Sequence, residues 1–133
     1  MATLFFYGTL MDAEVRRHLM GRDVPVEAAC IKGFRAVPVA GKHYPVLVPN
    51  GGCKVEGVLA RNIDRQQLAR LIAYEGPGYC LETQSVIAAG GVPIQARVFM
   101  PRAGVPADMK RDWDFKCWQK RWKRKLLNLL PVA

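Results

Sequence analysis

Residues 44–60 read YPVLVPNGGCKVEGVLA, two apolar runs separated by Asn50-Gly51-Gly52. Asn and Gly tolerate the left-handed backbone conformations of tight turns, so this stretch predicts a β-hairpin between Tyr44–Val48 and Lys54–Ala60. Most other apolar runs of the chain are equally short and are interrupted by Gly or Pro. This pattern of short apolar runs favours a sheet of short strands joined by tight turns.

Further strands are expected on both sides of this stretch. Thr3–Tyr7 is an apolar, aromatic run that ends at a glycine, which predicts a buried strand. Glu82–Ala88 and Pro93–Met100 flank Ala89-Gly90-Gly91, a second turn signal. The total is about six short strands, which indicates a curved, mainly antiparallel sheet or small barrel.

Two short helices are predicted by their capping residues. Asp12 is placed to cap a helix through about Leu19, with Gly21 as its stop. Asp64 is placed to cap a second helix over Arg65–Tyr74, which the following Gly and Pro must end.

A long C-terminal helix is predicted over about residues 108–130. Its apolar residues recur every three or four positions, as one face of a helix requires: Phe115, Trp118, Trp122, Leu126 and Leu129. We therefore predict an α+β fold: a small mixed, mainly antiparallel β-barrel or curved sheet, with short helices at its ends and a long C-terminal helix. We expect one domain over residues 1–133, with a core of about residues 1–107.

Composition excludes several classes of protein. Half of the 133 residues are hydrophobic and 23% are charged, which is unlike a disordered or collagen-like chain. No run approaches the ~18 apolar residues of a membrane helix, and no basic segment precedes the first apolar run as in a signal peptide. We therefore expect a cytoplasmic protein without a membrane partner, with its four cysteines reduced. Their spacing, and that of the two histidines, fits no metal site, and no cofactor is expected.

The net charge of +9 is concentrated in one segment. Lys110–Lys125 holds eight basic and two acidic residues, or +6 of that total. Basic side chains interleaved with tryptophans could hold a polyanion such as a nucleic acid. The helical spacing of the apolar residues instead favours an amphipathic helix packed on the domain.

Two sites carry potential chemistry. Tyr7-Gly8-Thr9-Leu10 follows a strand, where backbone N–H groups can converge on an anion, although a turn that simply needs glycine explains the same pattern. Glu75 ends a predicted helix beside aromatic residues. The helix C-terminus and burial would both raise the pKa of its carboxyl, as a general base near neutral pH needs, whereas a solvated loop Glu is the simpler alternative.

Taken in order, several motifs resemble the gamma-glutamylcyclotransferase-like superfamily. They are FFYGTLM, AGKHYPVLVP, CKVEGVLARNI, YEGPGY and QARVFM, which together span about Leu4–Met100. The resemblance implies a small barrel and a cofactor-free reaction. In that reaction the α-amino group of a γ-glutamyl amine or γ-glutamyl amino acid attacks its own γ-carbonyl, which gives 5-oxoproline and the free amine.

The resemblance also implies residue roles. Glu75 matches the catalytic acidic residue, here a general acid/base, and Tyr79 matches the tyrosine of that motif. Tyr7, Gly8, Thr9 and Leu10 match the loop that holds the glutamyl group, and Tyr44 matches a pocket-lining tyrosine. The alternative is a non-catalytic binding protein of the same fold. The sequence does not indicate the oligomeric state.

Overall fold

Five β-strands close into a barrel in the computed structural model, which describes residues 1–130. The strands are β1 (Ala2–Phe6), β2 (Val26–Pro38), β3 (Pro45–Ile63), β4 (Tyr79–Ala88) and β5 (Pro93–Pro101). Their order around the barrel is β1-β3-β2-β4-β5, and only the β1–β5 pair is parallel. The predicted α+β class and mixed, mainly antiparallel barrel are confirmed.

The predicted hairpin at Asn50-Gly51-Gly52 is wrong. β3 runs through this stretch as one strand of 19 residues and pairs with β2 on both sides of it. Lys54 pairs with Lys32 and Pro49 pairs with Phe34, so residues 50–53 lie opposite the single residue Gly33. The Asn-Gly-Gly stretch is therefore a bulge that bends a long ribbon, and two predicted strands are one.

The chain instead reverses between β2 and β3, over Val39–Tyr44. The Val39 N–H donates to the Tyr44 carbonyl over 3.0 Å, and Gly41 has a φ of 74°. The turn predicted at Ala89–Gly91 is confirmed as a 3-10 turn between β4 and β5.

Both predicted short helices are present. α1 (Ala13–Met20) begins where the Asp12 carboxylate accepts from the Glu14 and Val15 N–H groups, and ends at Gly21 with a φ of 75°. α2 (Arg65–Glu75) has Asp64 and Gln67 in a reciprocal capping box. Glu75 is its last residue.

The predicted C-terminal helix is shorter and broken. Residues 108–114 are not helical but follow the end of β2, where the Trp113 N–H donates to the Ala36 carbonyl over 3.0 Å. Helices α3 (Phe115–Arg121) and α4 (Lys123–Leu129) then meet at Trp122, whose φ is −124°. This break changes which residues face the barrel: Leu127 is buried, while Leu129, on the predicted apolar face, is 80% exposed.

Successive residues of β1 face two hydrophobic clusters. Leu4 and Phe6 pack with residues of the helices such as Leu19 and Trp118, and Phe5 packs among strand residues such as Val98. This alternation is the period of a β-strand covered on both faces.

Candidate active site

One small cavity brings together all seven residues that the sequence singled out. Its lining includes Tyr7, Gly8, Thr9, Leu10, Tyr44, Glu75 and Tyr79. Phe5, Phe6, Pro45 and Phe99 complete the lining, and the volume is about 20 Å³. A cavity of this size holds about one water molecule.

The barrel topology explains the convergence. Because β1 and β5 are parallel, Tyr7 after the end of β1 lies near the end of β5. Because β4 is antiparallel to β5, Tyr79 at the start of β4 lies at the same end, opposite Pro101. The last residue of α2, Glu75, lies four positions before Tyr79 in the sequence.

Hydrogen bonds fix three phenol groups at this end of the barrel. The Tyr7 hydroxyl donates to the Phe99 carbonyl over 2.6 Å, and the Tyr79 hydroxyl donates to the Pro45 carbonyl over 2.7 Å. The Tyr74 hydroxyl lies 2.6 Å from Thr9 Oγ1. These bonds tie the loop after β1, the starts of β3 and β4, and the end of α2 into one frame.

The loop after β1 lies so close to Pro45 that a side chain at Gly8 would require the proline ring to shift. A Cβ there would lie 3.1 Å from Pro45 Cγ, so this position favours glycine through space rather than backbone angle. Thr9–Met11 then form a 3-10 turn. The first N–H groups of such a turn lack carbonyl partners within it and can serve a ligand.

Buried polar side chains hold the Thr9–Met11 turn in place. Nη1 of Arg16, itself 7% exposed, donates to the Leu10 and Met11 carbonyls over 2.9 and 2.7 Å. Asp12 Oδ2 accepts from Gln119 Nε2 and lies 2.9 Å from Lys123 Nζ, which connects the turn to α3 and α4. Burial alone would raise the Asp12 pKa, but these hydrogen bonds lower it overall and keep the carboxylate ionised.

Burial raises the pKa of Glu75 to about 8. Its side chain keeps partial contact with solvent, yet protein atoms surround the carboxyl closely enough to disfavour its charge. Burial also raises the pKa of Tyr7, Tyr74 and Tyr79, and the Glu75 carboxylate adds to the effect on each. Several titratable groups with raised pKa values gathered at one end of a fold are typical of a functional site.

A larger outer cleft of about 470 Å³ opens beside the cavity. Thr9, Tyr44 and Glu75 line both spaces, so Glu75 lies at their junction. The other side of the cleft is formed by α3, α4 and the residues before Tyr44.

A second large cleft, about 640 Å³, lies elsewhere, between the β2–β3 ribbon and residues 112–116. Tyr7 reaches it, but Glu75 does not line it. We place the candidate site at the smaller cavity because the groups with perturbed pKa values are gathered there.

Sequence reasoning missed several residues at the site. His43 lies exposed in the turn between β2 and β3, and its ring stacks on Trp122 at the outer cleft, with centroids 3.3 Å apart. Its position next to Tyr44 was the available signal. Arg16, which supports the loop, carried no sequence signal, since a basic residue in a short helix is ordinarily solvated.

The three tryptophans considered for base stacking all contact other parts of the chain. Trp118 is buried, Trp122 stacks on His43, and Trp113 donates through Nε1 to the His43 carbonyl over 2.9 Å. Polyanion binding by Lys110–Lys125 stays a prediction.

The four cysteines, all within the described residues, are free thiols. Residues 1–130 contain no cluster of side chains suited to a metal ion, and none of their helices is long and apolar enough to cross a membrane.

The protein is thus a small closed barrel with a glutamate of raised pKa and several tyrosines at one end. Residues 4–120 match the family described as gamma-glutamyl cyclotransferase, AIG2-like. The chain belongs to this family.

Known proteins agree with this assignment. AIG2-like protein C of Arabidopsis thaliana is 28% identical over 121 residues, which cover 90% of this chain and 70% of that protein. A solution structure of an Arabidopsis thaliana protein superposes with a TM-score of 0.75 at 24% identity, covering 96% of this chain and 87% of the other. A gamma-glutamyl cyclotransferase structure has a TM-score of 0.66 at 20% identity, covering 80% and 68%. At these identities the structures share the fold.

Proposed function

We propose that this protein cyclises a γ-glutamyl amine or γ-glutamyl amino acid to 5-oxoproline, with Glu75 as general acid and base. The observation that carries the proposal is a glutamate of raised pKa at the junction of a small cavity and an open cleft. Family membership supports a small γ-glutamyl compound as substrate.

The proposed reaction moves two protons from the attacking to the leaving nitrogen. The substrate α-ammonium, with a reference pKa of about 8, must lose a proton before its nitrogen can attack. Glu75, with a pKa of about 8, can accept that proton at little cost in free energy. The nitrogen then bonds to the γ-carbonyl carbon, and Glu75 passes the first proton to the leaving nitrogen as the bond from that carbon to it breaks. The ring nitrogen gives its second proton to the Glu75 carboxylate, and the free amine accepts that proton and departs as an ammonium.

The loop after β1 is the proposed oxyanion element. Gly8, Thr9 and Leu10 border the cavity, and in this proposal their N–H groups stabilise the tetrahedral oxygen as charge develops. The inner cavity is too small for a glutamyl group as it stands, so binding requires a side chain at its mouth to move. Tyr44, which is 40% exposed, is the side chain free to do so.

The test is product formation from a panel of γ-glutamyl compounds, with 5-oxoproline detected by mass spectrometry. Glu75→Gln keeps the shape of the side chain but removes the base, and we expect a loss of about 10²- to 10⁴-fold in kcat/KM. Glu82→Gln is the matched control, because Glu82 is an exposed glutamate outside the cavity and the cleft. Full turnover by Glu75→Gln would contradict the mechanism. A folded wild-type protein without product would favour the non-catalytic alternative.

A further inference from the structure

The outer cleft is lined by apolar and basic side chains that have no role in the proposed reaction. Its apolar wall is formed by side chains of α3 and α4 and the residue between them: Trp118, Trp122, Leu126 and Leu129. Lys42 and Lys125, both exposed, line the same cleft. Among the described residues that line it, the only acid is Glu75, at the inner end.

The wall near the lysines is preorganised by stacking. The His43 and Trp122 rings lie 12° from parallel, and Lys125 Nζ lies 5.7 Å from the centre of the Trp122 ring. The Trp113 side chain holds the backbone of His43 through a 2.9 Å hydrogen bond. A wall fixed before binding loses little conformational entropy when a ligand packs against it.

The position of the cleft identifies which part of a substrate it would receive. In the proposed reaction the glutamyl group occupies the inner cavity, and Glu75 must reach both the attacking and the leaving nitrogen. The group attached to the leaving nitrogen must then extend past Glu75 into the outer cleft. Two ammonium groups there attract a carboxylate and repel a cationic amine.

We propose that the outer cleft binds a leaving group with a carboxylate and an apolar side chain, so that the substrate is a γ-glutamyl derivative of an apolar or aromatic α-amino acid. This inference rests on the proposed function. Lys42 and Lys125 receive the carboxylate, and Trp122 and its neighbours pack against the side chain. A γ-glutamyl amine without a carboxylate is the poorer substrate.

Two compounds that differ only in the carboxylate test the inference. In γ-glutamyl-L-phenylalanine and γ-glutamyl-2-phenylethylamide the aromatic ring is the same. We expect the wild-type kcat/KM to be about tenfold higher for the first, as two partly exposed ion pairs can supply. Lys125→Gln should remove most of this preference by raising KM for the phenylalanine compound, with kcat little changed.

Lys120→Gln is the matched control, since it removes the same charge from an exposed position outside the cleft and should keep the preference. Equal kcat/KM for the two compounds in wild type, or a preference that Lys125→Gln leaves intact, would overturn the inference while the proposed function stands.

A binding measurement separates the two proposals if neither compound is turned over. N-acetyl-L-phenylalanine and N-acetyl-2-phenylethylamine are unreactive forms of the two leaving groups, and tryptophan fluorescence reports their binding through Trp122. Tighter binding of the first, weakened by Lys125→Gln, would support the cleft's specificity although the reaction had failed. Equal binding, or no binding of either, would overturn it.

Discussion

In the proposed reaction, the pKa of Glu75 makes activity and stability depend on pH in opposite directions. Only its ionised form can accept a proton, and a pKa of about 8 makes that form scarce below neutral pH. The same burial that raises the pKa makes ionisation costly to the folded state. Both effects can be measured: activity should rise with pH, and the contribution of Glu75 to the free energy of unfolding should fall.

The first consequence is a pH profile. Below about pH 8 the ionised fraction of Glu75 rises roughly tenfold per pH unit, so kcat/KM should rise with pH and level off near 8. Initial rates between about pH 6 and 9.5 give the profile. The residual activity of Glu75→Gln serves as the control, because the same acid limb in that variant would belong to the substrate ammonium instead. An acid limb near the usual pKa of a glutamate would contradict the assignment.

The second consequence concerns the free energy of unfolding. A carboxyl whose pKa is raised on folding binds its proton more tightly in the folded state, so its contribution is fully present below the unfolded pKa. That contribution is lost as pH rises from about 4.5 to 8, at up to roughly 1.4 kcal/mol per pH unit.

Glu75→Gln has no charge to bury, so it should be more stable than wild type at about pH 9, by about 1–3 kcal/mol after allowing for the partial solvent contact of Glu75. Urea denaturation at about pH 9 and pH 4 measures the difference, which should shrink at the lower pH. Equal stability at the higher pH would show that Glu75 is not desolvated.

At the scale of elements, the sequence predicted correctly those features that depend on contacts between neighbouring residues. The caps of α1 and α2 were readable because Asp12 and Asp64 bond to N–H groups two or three residues away. The order of motifs also selected seven residues that line one cavity. Elements whose structure depends on residues far away in the sequence were predicted wrongly.

The bulge at residues 50–53 illustrates the limit. Asn-Gly-Gly suits a hairpin turn and a bulge equally well by backbone conformation, and the choice depends on the thirteen residues of β2 that pair with both halves of β3. The break at Trp122 coincides with stacking on His43, which lies about 80 positions earlier and cannot be seen in a helical period.

One glycine of β3 tests how closely the strands approach the aromatic core. A Cβ at Gly57 would clash with the Phe6 carbonyl oxygen and lie 2.6 Å from the end of the Phe5 ring. Gly57→Ala should therefore lower the free energy of unfolding by about 1–3 kcal/mol, the usual cost of overpacking. Gly51→Ala is the control in the same strand, where a Cβ would meet nothing within 4 Å. Equal effects of the two changes in urea denaturation would contradict this account of the packing.

For the molecule as a whole, the basic C-terminal segment completes the fold. Trp118 is 4% exposed and packs in the cluster that contains Leu10 and Val39. Lys123 pairs with both Asp12 and Glu14 at the start of α1. The segment is thus anchored beside the loop after β1, and its other side forms the wall of the outer cleft.

Trp118→Ala should lower the free energy of unfolding by about 3–5 kcal/mol, as expected when a large buried aromatic is removed. It should also lower activity, because the wall of the outer cleft and the hydrogen bond from Gln119 to Asp12 are carried by the same helix. Met109→Ala is the matched control: Met109 is 52% exposed on the approach to α3, and its change should stay within about 0.5 kcal/mol. Urea denaturation monitored by far-UV circular dichroism measures both variants. If Trp118→Ala were as stable as the control, α3 would not belong to the core, and a free basic segment that binds a polyanion would become the better account of its eight positive charges.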